Sequence, residues 1–332
     1  MRALPVIAAA TAFLLTACSR DQQRPAGEGT SDERSAEAKA VRSAPTSGGA
    51  CKAEPIVWRL PAPGRVVAIG DVHGDLDALV QALRSAEIID ADGSWSAGNA
   101  TLVQTGDILD RGDDEIEIYR LFERLAAEAQ KAGGRVLLMH GNHELMNAAG
   151  DFRYVTAGGW DDWRDEPVPK RLSLPLDGVR KDRVGRVAAW APGGTWAKRI
   201  ADQPVIAVVG DTVFAHGGVL PIHIDKIDDM QRQVQCWLRG QGPAPELVVG
   251  NDRSPVWTRV FAAPVPPCEI VGSVLGRLEV ERMVVGHTAQ LRGIKSRCGG
   301  KLWLIDVGMA EYYGGKPAAL VIDGMQVGST SR

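Results

Sequence analysis

The sequence contains no apolar run long enough to cross a bilayer, no internal repeat and no excess of basic charge. Its apolar N-terminal stretch, from Leu4 to Leu15, is shorter than the roughly 20 residues that a membrane-spanning helix needs. The net charge of −3 provides no positive field for nucleic acid, so no nucleic-acid partner is predicted. Cysteines are few, and none of those after Cys18 lies in a motif described below, which argues against thiolate chemistry.

What remains is an ordinary globular composition, 45 % hydrophobic and 24 % charged, in 332 residues. That length suffices for one large or two small domains. Residues 19–54 contain no aromatic residue and are rich in small and charged residues, so a flexible tether is predicted there. From residue 55 onwards the composition becomes that of a packed core, and one domain is predicted at 55–328.

Residues 1–18 are predicted to form a lipoprotein signal peptide. Arg2 precedes the apolar run, which ends in Leu15-Thr16-Ala17-Cys18 and resembles a bacterial lipobox. In such signals the Cys becomes the lipidated first residue, and a following Ser19 favours the outer membrane. We therefore expect an exported, periplasmic protein that contacts the membrane only through a lipid anchor on Cys18. The alternative is an ordinary secretory signal with a coincidental cysteine.

Four further cysteines lie outside this signal, at positions 51, 236, 268 and 298. In an oxidising periplasm one or two disulfides are expected among them. Four cysteines allow three full pairings, and the sequence leaves the choice open.

An Asp and a His lie two residues apart on a glycine-flanked turn, Gly70–Asp75. The turn follows the apolar run Arg65–Ile69, which is typical of a buried strand. It precedes apolar residues at i, i+3, i+4 and i+7 from Leu76, which indicate an amphipathic helix. Ligands of open α/β sheets bind at such strand ends. By itself, however, the pair Asp71 and His73 is more often a turn with a capping Asp than a metal site.

Four more apolar runs end in the same way. Each is followed at once by a turn that combines glycine with carboxylate, amide or imidazole groups. These turns are Gly106–Gly112, His140–Glu144, His216–Gly218 and Gly286–Thr288. Five strand ends that direct polar groups towards one crevice favour a binding site over unrelated loops.

Together the five segments resemble the motifs of the calcineurin-like metallophosphoesterases and, within them, of the phosphoprotein phosphatase family. In chain order they read GDVHGD, GDILDRG, GNHE, HGG and GHT. Asp113-Asp114-Glu115 and Ser254-Pro255-Val256-Trp257 most resemble the bacterial, Shewanella-like branch of that family. The resemblance extends from about Arg65 to Asp323, so residues 55–328 are expected to be a catalytic domain.

The resemblance implies an α/β fold, a four-layer β-sandwich of two mixed sheets flanked by helices. Residue patterns predict helices at 113–131, 224–238 and 269–278, and strands at 205–209, 212–215, 302–306 and 318–322. Residues from about 150 to 200 lack sustained periodicity and are interpreted as an insertion at the lip of the active-site cleft. Four tryptophans in this insertion could equally be plain core: Trp160, Trp163, Trp190 and Trp196.

The resemblance also implies two divalent or trivalent transition-metal ions. Carried over by motif, the ligands of the first ion are Asp71, His73 and Asp107. Asp107 is expected to bridge both ions, and the second site is completed by Asn142, His216 and His287. Oxygen, amide and imidazole donors without thiolate suit Mn, Fe or Zn.

His143 is the expected general acid for the leaving oxygen, and Asp110 is expected to keep its imidazole protonated near neutrality. The alternative for Asp110 is a salt bridge to the neighbouring Arg111. Arg111 is expected to contact the phosphate, because a guanidinium offers paired donors to paired oxygens. A second phosphate-binding arginine is expected at Arg259, with Arg253 as the alternative.

Two histidines receive no catalytic role: His140 is interpreted as a supporting or core residue, and His223 begins a predicted helix. The predicted function is that of a monomeric, dimetal phosphomonoesterase acting on phosphorylated protein or peptide, at Ser/Thr or Tyr, with a metal-bridging water as nucleophile. The first alternative is a dinucleoside polyphosphate hydrolase, whose symmetrical members share the GD, GNH and GH motifs. The second is a catalytically inactive binding module, which is disfavoured because every inferred ligand is present.

Overall fold

The computed structural model describes residues 51, 53–169, 176–249 and 251–330. The predicted signal peptide, Cys18 and nearly all of the predicted tether lie outside these residues. The described residues form eleven short strands: β1 (Arg59–Leu60), β2 (Val66–Ile69), β3 (Thr101–Gln104), β4 (Arg135–Leu138), β5 (Ile206–Val209), β6 (Thr212–Ala215), β7 (Arg282–Val285), β8 (Lys295–Arg297), β9 (Leu302–Leu304), β10 (Leu320–Asp323) and β11 (Gln326–Ser329).

Eight α-helices are formed by the same residues: α1 (Leu76–Ser85), α2 (Glu115–Lys131), α3 (Asn142–Ala148), α4 (Ala157–Asp162), α5 (Val184–Trp190), α6 (Thr195–Ile200), α7 (Ile227–Leu238) and α8 (Cys268–Leu278). None of the helices in this part of the chain is both long and apolar enough to cross a bilayer.

The strands form two mixed sheets. In the first sheet, β2, β3 and β4 run parallel, and β10 and β11 extend it antiparallel, in the order β11-β10-β2-β3-β4. The second sheet has the order β1-β5-β6-β7-β9-β8, with β6, β7 and β9 parallel. Val67 pairs with Leu102 and Leu102 with Val136, so the C-terminal ends of β2, β3 and β4 lie side by side.

Side chains alternate between the two faces of each strand, and this alternation builds two apolar layers. Val66 and Ala68 of β2 pack against the second sheet, in one cluster with Phe214 of β6 and Val284 of β7. Their neighbours in sequence face the opposite way and join the apolar faces of the helices, for example Val67 with Leu79, Leu83 and Phe122. The result is helix, sheet, sheet, helix, which confirms the predicted four-layer fold.

Most predicted elements are present, with shifted ends. The helix predicted at 224–238 begins as a 3₁₀ turn, Ile224–Lys226, before α7. The strand predicted at 318–322 is displaced to Leu320–Asp323. Three strands were not predicted, β1, β8 and β11, because they are short and contain no apolar run.

The segment from about residue 150 to 200 contains α4, α5 and α6. Trp163 and Trp190 are fully buried and Trp196 is 4 % exposed, and Trp163 contacts the other two rings at centroid distances of 5.2 and 4.8 Å. For these three tryptophans the core interpretation is the right one. Trp160 is partly buried, and the guanidinium carbon of Arg183 lies 4.7 Å from its ring centre.

Two disulfides connect the remaining cysteines. Cys51 pairs with Cys236 and Cys268 with Cys298, at Cα–Cα distances of 5.8 and 5.3 Å. The first bond ties the segment ahead of β1 to α7, and the second ties the start of α8 to the turn between β8 and β9.

Candidate dimetal centre

The five turns that were predicted to share a crevice meet where strands of the two sheets end. Three turns follow β2, β3 and β4 of the first sheet, and two follow β6 and β7 of the second. Nε2 of His216 lies 3.1 Å from Oδ2 of Asp107, and the backbone N–H of His287 donates to the Asp71 carboxylate at 3.0 Å. All six predicted metal ligands are buried in this one cluster.

The carboxylate of Glu144 holds two of these turns together. One oxygen accepts from the backbone N–H groups of Asp107 and Gly141, at 2.9 and 2.8 Å, and the other accepts from Ile108 at 2.8 Å. A Cβ at Gly141 would lie 2.1 Å from Oδ1 of Asp107, so this close approach requires glycine. The motif Glu is therefore a structural clamp on the Asp107 turn.

Five of the predicted site residues have a left-handed backbone, with φ between 50° and 70°: His73, Asp107, Asp110, Arg111 and His287. This conformation is unfavourable for residues with a side chain, and it persists only where surrounding contacts impose it. Contacts such as the Glu144 hydrogen bonds provide that constraint. The strain is concentrated at the cluster, which is typical of a functional site.

The hydrogen-bond partners of the two histidines from the second sheet fix their tautomers. Nδ1 of His216 donates to the carbonyl of Thr105 at 3.1 Å, and Nε2 of His287 donates to the carbonyl of Trp257 at 3.0 Å. Nε2 of His216 then lies 3.0 Å from Oδ1 of Asn142 and 3.1 Å from Nδ1 of His287. Oδ2 of Asp107 is also 3.1 Å from Nε2 of His216, so several possible ligand atoms lie close together, an arrangement that a metal cation would stabilise.

The first-sheet ligands form a neighbouring cluster. Nδ1 of His73 donates to the carbonyl of Leu109 at 2.9 Å, which leaves Nε2 facing Asp71 and Asp107, 4.0 and 3.9 Å from a carboxylate oxygen of each. Nε2 of His143 is also 3.9 Å from Asp107. Two groups of possible ligand atoms result, His73 with Asp107 and His143, and Asp107 with His216 and His287, each within 4.8 Å. Asp107 belongs to both.

The protonation states of two ligand histidines, His73 and His287, fit cation binding; for the third, His216, burial opposes protonation but Asp107 outweighs it and raises the pKa. Burial lowers the pKa of His73 to about 3 and that of His287 to about 2, so both imidazoles are neutral at pH 7, the form that binds metals. Burial opposes ionisation of Asp107, but His216 and His143 outweigh it and hold the pKa of that carboxyl well below its usual range. Burial, with Asp306 and Asp107 nearby, raises the pKa of Asp71. A bound cation would neutralise the negative charge of these closely spaced carboxyl groups.

His143 and Asp110 form a buried pair beside the ligand cluster. Nδ1 of His143 lies 2.5 Å from Oδ2 of Asp110, so the imidazole donates to a carboxylate and not to a carbonyl. The side-chain amide of Asn147 donates to both Asp110 oxygens, at 3.1 and 3.2 Å. The alternative of an Asp110–Arg111 salt bridge is not seen among the described contacts.

Arg111 lies at the mouth of the cluster between aromatic rings. Its guanidinium carbon is 4.7 Å from the ring centre of Tyr154, 5.0 Å from that of Tyr312 and 4.9 Å from that of Tyr313. No carboxylate of the described residues lies within ion-pair distance of it. Cation–π contacts therefore hold this side chain, and its N–H donors are not taken up by an acid.

Comparison with known proteins decides the family. Residues 64–291 match the family model of the calcineurin-like phosphoesterases. The chain belongs to that family. Calcineurin-like phosphoesterases bind two metal ions, and the two ligand groups that share Asp107 agree with this.

The curated relatives of this phosphoesterase agree with the predicted branch. Shewanella-like protein phosphatase 2 of Arabidopsis thaliana is 38 % identical over 291 residues, covering 76 % of this chain and 73 % of the relative. Shewanella-like protein phosphatase 1 of Plasmodium berghei is 29 % identical, covering 75 % of this chain and 68 % of the relative. A symmetrical bis(5'-nucleosyl)-tetraphosphatase of Neisseria meningitidis is 27 % identical and covers only about half of either chain, 52 % and 51 %. The resemblance to the Shewanella-like branch is confirmed, and the chain is a metal-dependent phosphatase.

A solved structure supports the fold of the phosphoesterase. The cold-active protein-tyrosine phosphatase of a psychrophilic Shewanella species superposes with a TM-score of 0.67 at 24 % identity, covering 83 % of this chain and 80 % of that one. At this identity the likeness concerns the fold alone.

The two arginines considered for a second phosphate contact are placed differently in the phosphoesterase. Nη1 of Arg259 donates to the carbonyl of His287 at 2.7 Å and to Oγ1 of Thr288 at 3.1 Å, so it lies against a ligand turn. Both arginines are exposed, and the contact at Arg253 is made by its backbone carbonyl, which accepts from Nε2 of His223 at 2.7 Å.

The two histidines without an assigned role are both buried. His223 is hydrogen-bonded on both ring nitrogens, because Nδ1 also accepts from the Leu220 N–H at 3.0 Å. Neither ring nitrogen of His140 has a partner among the described residues, and burial lowers the pKa of His140 to about 3. Neither histidine belongs to the ligand cluster.

Sequence reasoning assigned no role in the site to four buried residues of this region: Asp306, Glu115, Asn147 and Arg186. Asp306 follows the apolar run of β9, the same pattern that revealed Asp71. Asn147 lies four residues after His143 in α3, on the same helix face. Arg186 lies in the aperiodic insertion, and no sequence signal indicated it.

Proposed function

We propose that this calcineurin-like phosphoesterase is a phosphoprotein phosphatase that hydrolyses phosphomonoesters on phosphorylated Ser/Thr or Tyr. The observation that carries the proposal is the buried ligand cluster centred on Asp107, with the His143–Asp110 pair directly beside it. The names of the Arabidopsis and Plasmodium relatives support a phosphoprotein as the substrate.

In the proposed metal assignment, Asp71, His73 and Asp107 hold the first ion. The second is held by the ligands Asp107, Asn142, His216 and His287. When bound, the two ions polarise the phosphate and activate the attacking water. The nitrogen and oxygen donors suit Mn, Fe or Zn.

The protein groups have separate proposed tasks. Arg111 and Arg259 bind phosphate oxygens, and the tyrosine rings around Arg111 restrain its guanidinium. His143 donates a proton from Nε2 to the leaving oxygen, which departs poorly as an alkoxide. Asp110 accepts from Nδ1 and orients the imidazole.

One experiment tests the substrate class: turnover of a phosphoserine peptide, a phosphotyrosine peptide and diadenosine tetraphosphate, in parallel, with defined Mn, Fe or Zn. We expect hydrolysis of at least one phosphopeptide with a kcat/KM well above that for the dinucleotide. Preference for diadenosine tetraphosphate would replace the proposal with the dinucleoside polyphosphate hydrolase, in line with the partial match to the Neisseria enzyme.

We also propose that the protein is an exported monomer, anchored to the outer membrane through Cys18. The two disulfides support an oxidising compartment. Cys18→Ser should abolish palmitate labelling and detergent partitioning, and light scattering should give the monomer mass for the soluble domain. Unlabelled, fully soluble protein from the intact sequence would contradict the anchor.

A further inference from the structure

Arg186 of α5 is fully buried, and its guanidinium contacts the Asp110 carboxylate of the His143–Asp110 pair. Nη2 donates to Oδ1 of Asp110 at 3.0 Å, and Nε donates to Oδ1 of Asn147 at 2.9 Å. Nη1 donates to the carbonyl of Gly159 at 2.8 Å. Both terminal nitrogens also donate to the carboxylate of Glu115. The side chain is 0 % exposed, so solvent cannot substitute for any of these partners.

The Asp110 carboxylate is consequently held from two sides. Oδ2 receives the imidazole N–H of His143, while Oδ1 receives Arg186. The backbone N–H of Asp110 donates to Glu115 at 2.5 Å, so Glu115 fixes both the main chain of Asp110 and the guanidinium that orients its side chain. The indole N–H of Trp163 donates to the remaining oxygen of Glu115 and completes the arrangement.

We propose that Arg186 is a positioning residue for catalysis, which fixes the Asp110 carboxylate so that His143 is aligned with the leaving oxygen. This inference rests on the proposed role of His143 as general acid. It also gives the insertion a function, because its helix α5 supplies the contact that orients the pair. Proton transfer depends on such alignment, and a displacement of about 1 Å can lower a rate by roughly 100-fold.

A purely structural role for Arg186 makes a different prediction. Arg186 also joins α5 to α2 through Glu115 and to α4 through Gly159. If it served only to hold these helices together, its replacement would lower stability and affect all substrates equally. A positioning role makes the loss depend on how much the leaving group needs a proton.

The test compares Arg186→Lys, which keeps the charge but loses the forked geometry, with the unaltered protein. We measure kcat and KM for p-nitrophenyl phosphate and for a phosphoserine peptide, and metal content by elemental analysis. We expect kcat on phosphoserine to fall about 10- to 100-fold, a smaller loss on p-nitrophenyl phosphate, KM within about twofold and unchanged metal content. In an Asp110→Asn background the same substitution should lower kcat little further, because Arg186 acts on the reaction only through Asp110.

Arg199→Lys is the matched control. Arg199 belongs to the same insertion and pairs with Glu123 at the surface, over the ring of Trp196, so its variant should keep the activity of the unaltered protein. Three results would each overturn the inference. The first is an equal loss of kcat on both substrates, and the second is full activity of Arg186→Lys. The third is a double variant whose loss of kcat combines the full losses of Arg186→Lys and Asp110→Asn.

If Arg186→Lys does not fold, Glu115→Gln is measured by the same criteria, because it weakens the hold on Arg186. An unaltered protein that hydrolyses neither phosphomonoester would refute the proposed function itself, and the inference with it. That result is distinguishable from an active parent with an unaffected variant.

Discussion

His143 Nδ1 and Asp110 Oδ2 are 2.5 Å apart, in a pair whose side chains are both buried. Burial opposes a charged imidazole, but Asp107 and the hydrogen bond to Asp110 outweigh it and raise the pKa of His143. Two of the proposed imidazole ligands differ: His73 and His287 each donate their ring N–H to a backbone carbonyl, and burial lowers the pKa of both. A carboxylate partner is what an imidazole needs to retain a proton near neutral pH.

Replacing the proposed acid should separate proton donation from metal binding. His143→Asn should retain both metals and lower kcat on phosphoserine about 10²- to 10⁴-fold. The loss should be smaller for p-nitrophenyl phosphate, whose leaving group needs little protonation. Elemental analysis and the two rates check this. Loss of metal would make His143 a ligand, which its 3.9 Å distance to Asp107 also permits.

Asp110→Asn should change the pH dependence of the reaction. Asp110 raises the pKa of His143, so its removal should lower that pKa. The acid would then lose its proton at a lower pH, and the basic limb of the kcat profile for phosphoserine should move to lower pH. A profile whose basic limb stays in place would show that Asp110 does not act through His143.

Asp107 is the carboxylate shared by both groups of ligand atoms. Asp107→Asn should therefore lower the content of both metals and the turnover together, since an amide oxygen is a weaker bridge than a carboxylate. Asp225→Asn, at an exposed carboxylate paired with Arg277, is the control and should retain both properties. Two metals per chain with normal turnover in the Asp107 variant would refute the bridging assignment.

The ligand cluster was predictable because its residues directly follow apolar strands. Asp71, Asp107 and His216 each follow such a run by one to three residues, and the ends of neighbouring parallel strands must lie together. The four-layer order follows from the same strands, whose two-residue alternation and flanking amphipathic helices are local patterns.

The supporting residues were not predictable in the same way. Arg186 reaches Asp110 across 76 positions, from a short helix without clear periodicity, and the contact depends on how the insertion packs. The three tyrosines around Arg111 come from two distant loops, and no local pattern connects them. Tertiary packing alone creates such contacts.

The tyrosine rings around Arg111 should contribute to substrate binding. An exposed cation–π contact is worth about 0.5–1 kcal/mol, so Tyr312→Leu should raise KM about 2- to 5-fold with little change in kcat. Tyr312→Phe keeps the ring and should leave KM unchanged. Arg111→Lys should be more severe, because it removes paired donors to the phosphate. Equal KM values for the Leu and Phe variants would exclude a role for the ring.

His223 should make the fold sensitive to acid through a group outside the ligand cluster. Its Nδ1 accepts from the Leu220 N–H and its Nε2 donates to the Arg253 carbonyl, so the buried ring must be neutral. Burial lowers the pKa of His223 to about 4, whereas its ordinary value, kept in the unfolded chain, is 6.5. A depressed pKa means that the folded state resists protonation.

The stability that this neutral ring provides is fully present above pH 6.5 and is lost as the pH falls towards 4. The shift corresponds to about 3.5 kcal/mol at most, because one pKa unit is worth about 1.4 kcal/mol. His223→Gln, which can still accept and donate but cannot titrate, should therefore lose less unfolding free energy between pH 7 and pH 4. Urea denaturation of both proteins across that pH range measures the difference between their unfolding free energies. The other titrating groups are the same in both proteins, so their contributions cancel. Parallel curves for the two proteins would mean that His223 is protonated as readily when folded as when unfolded.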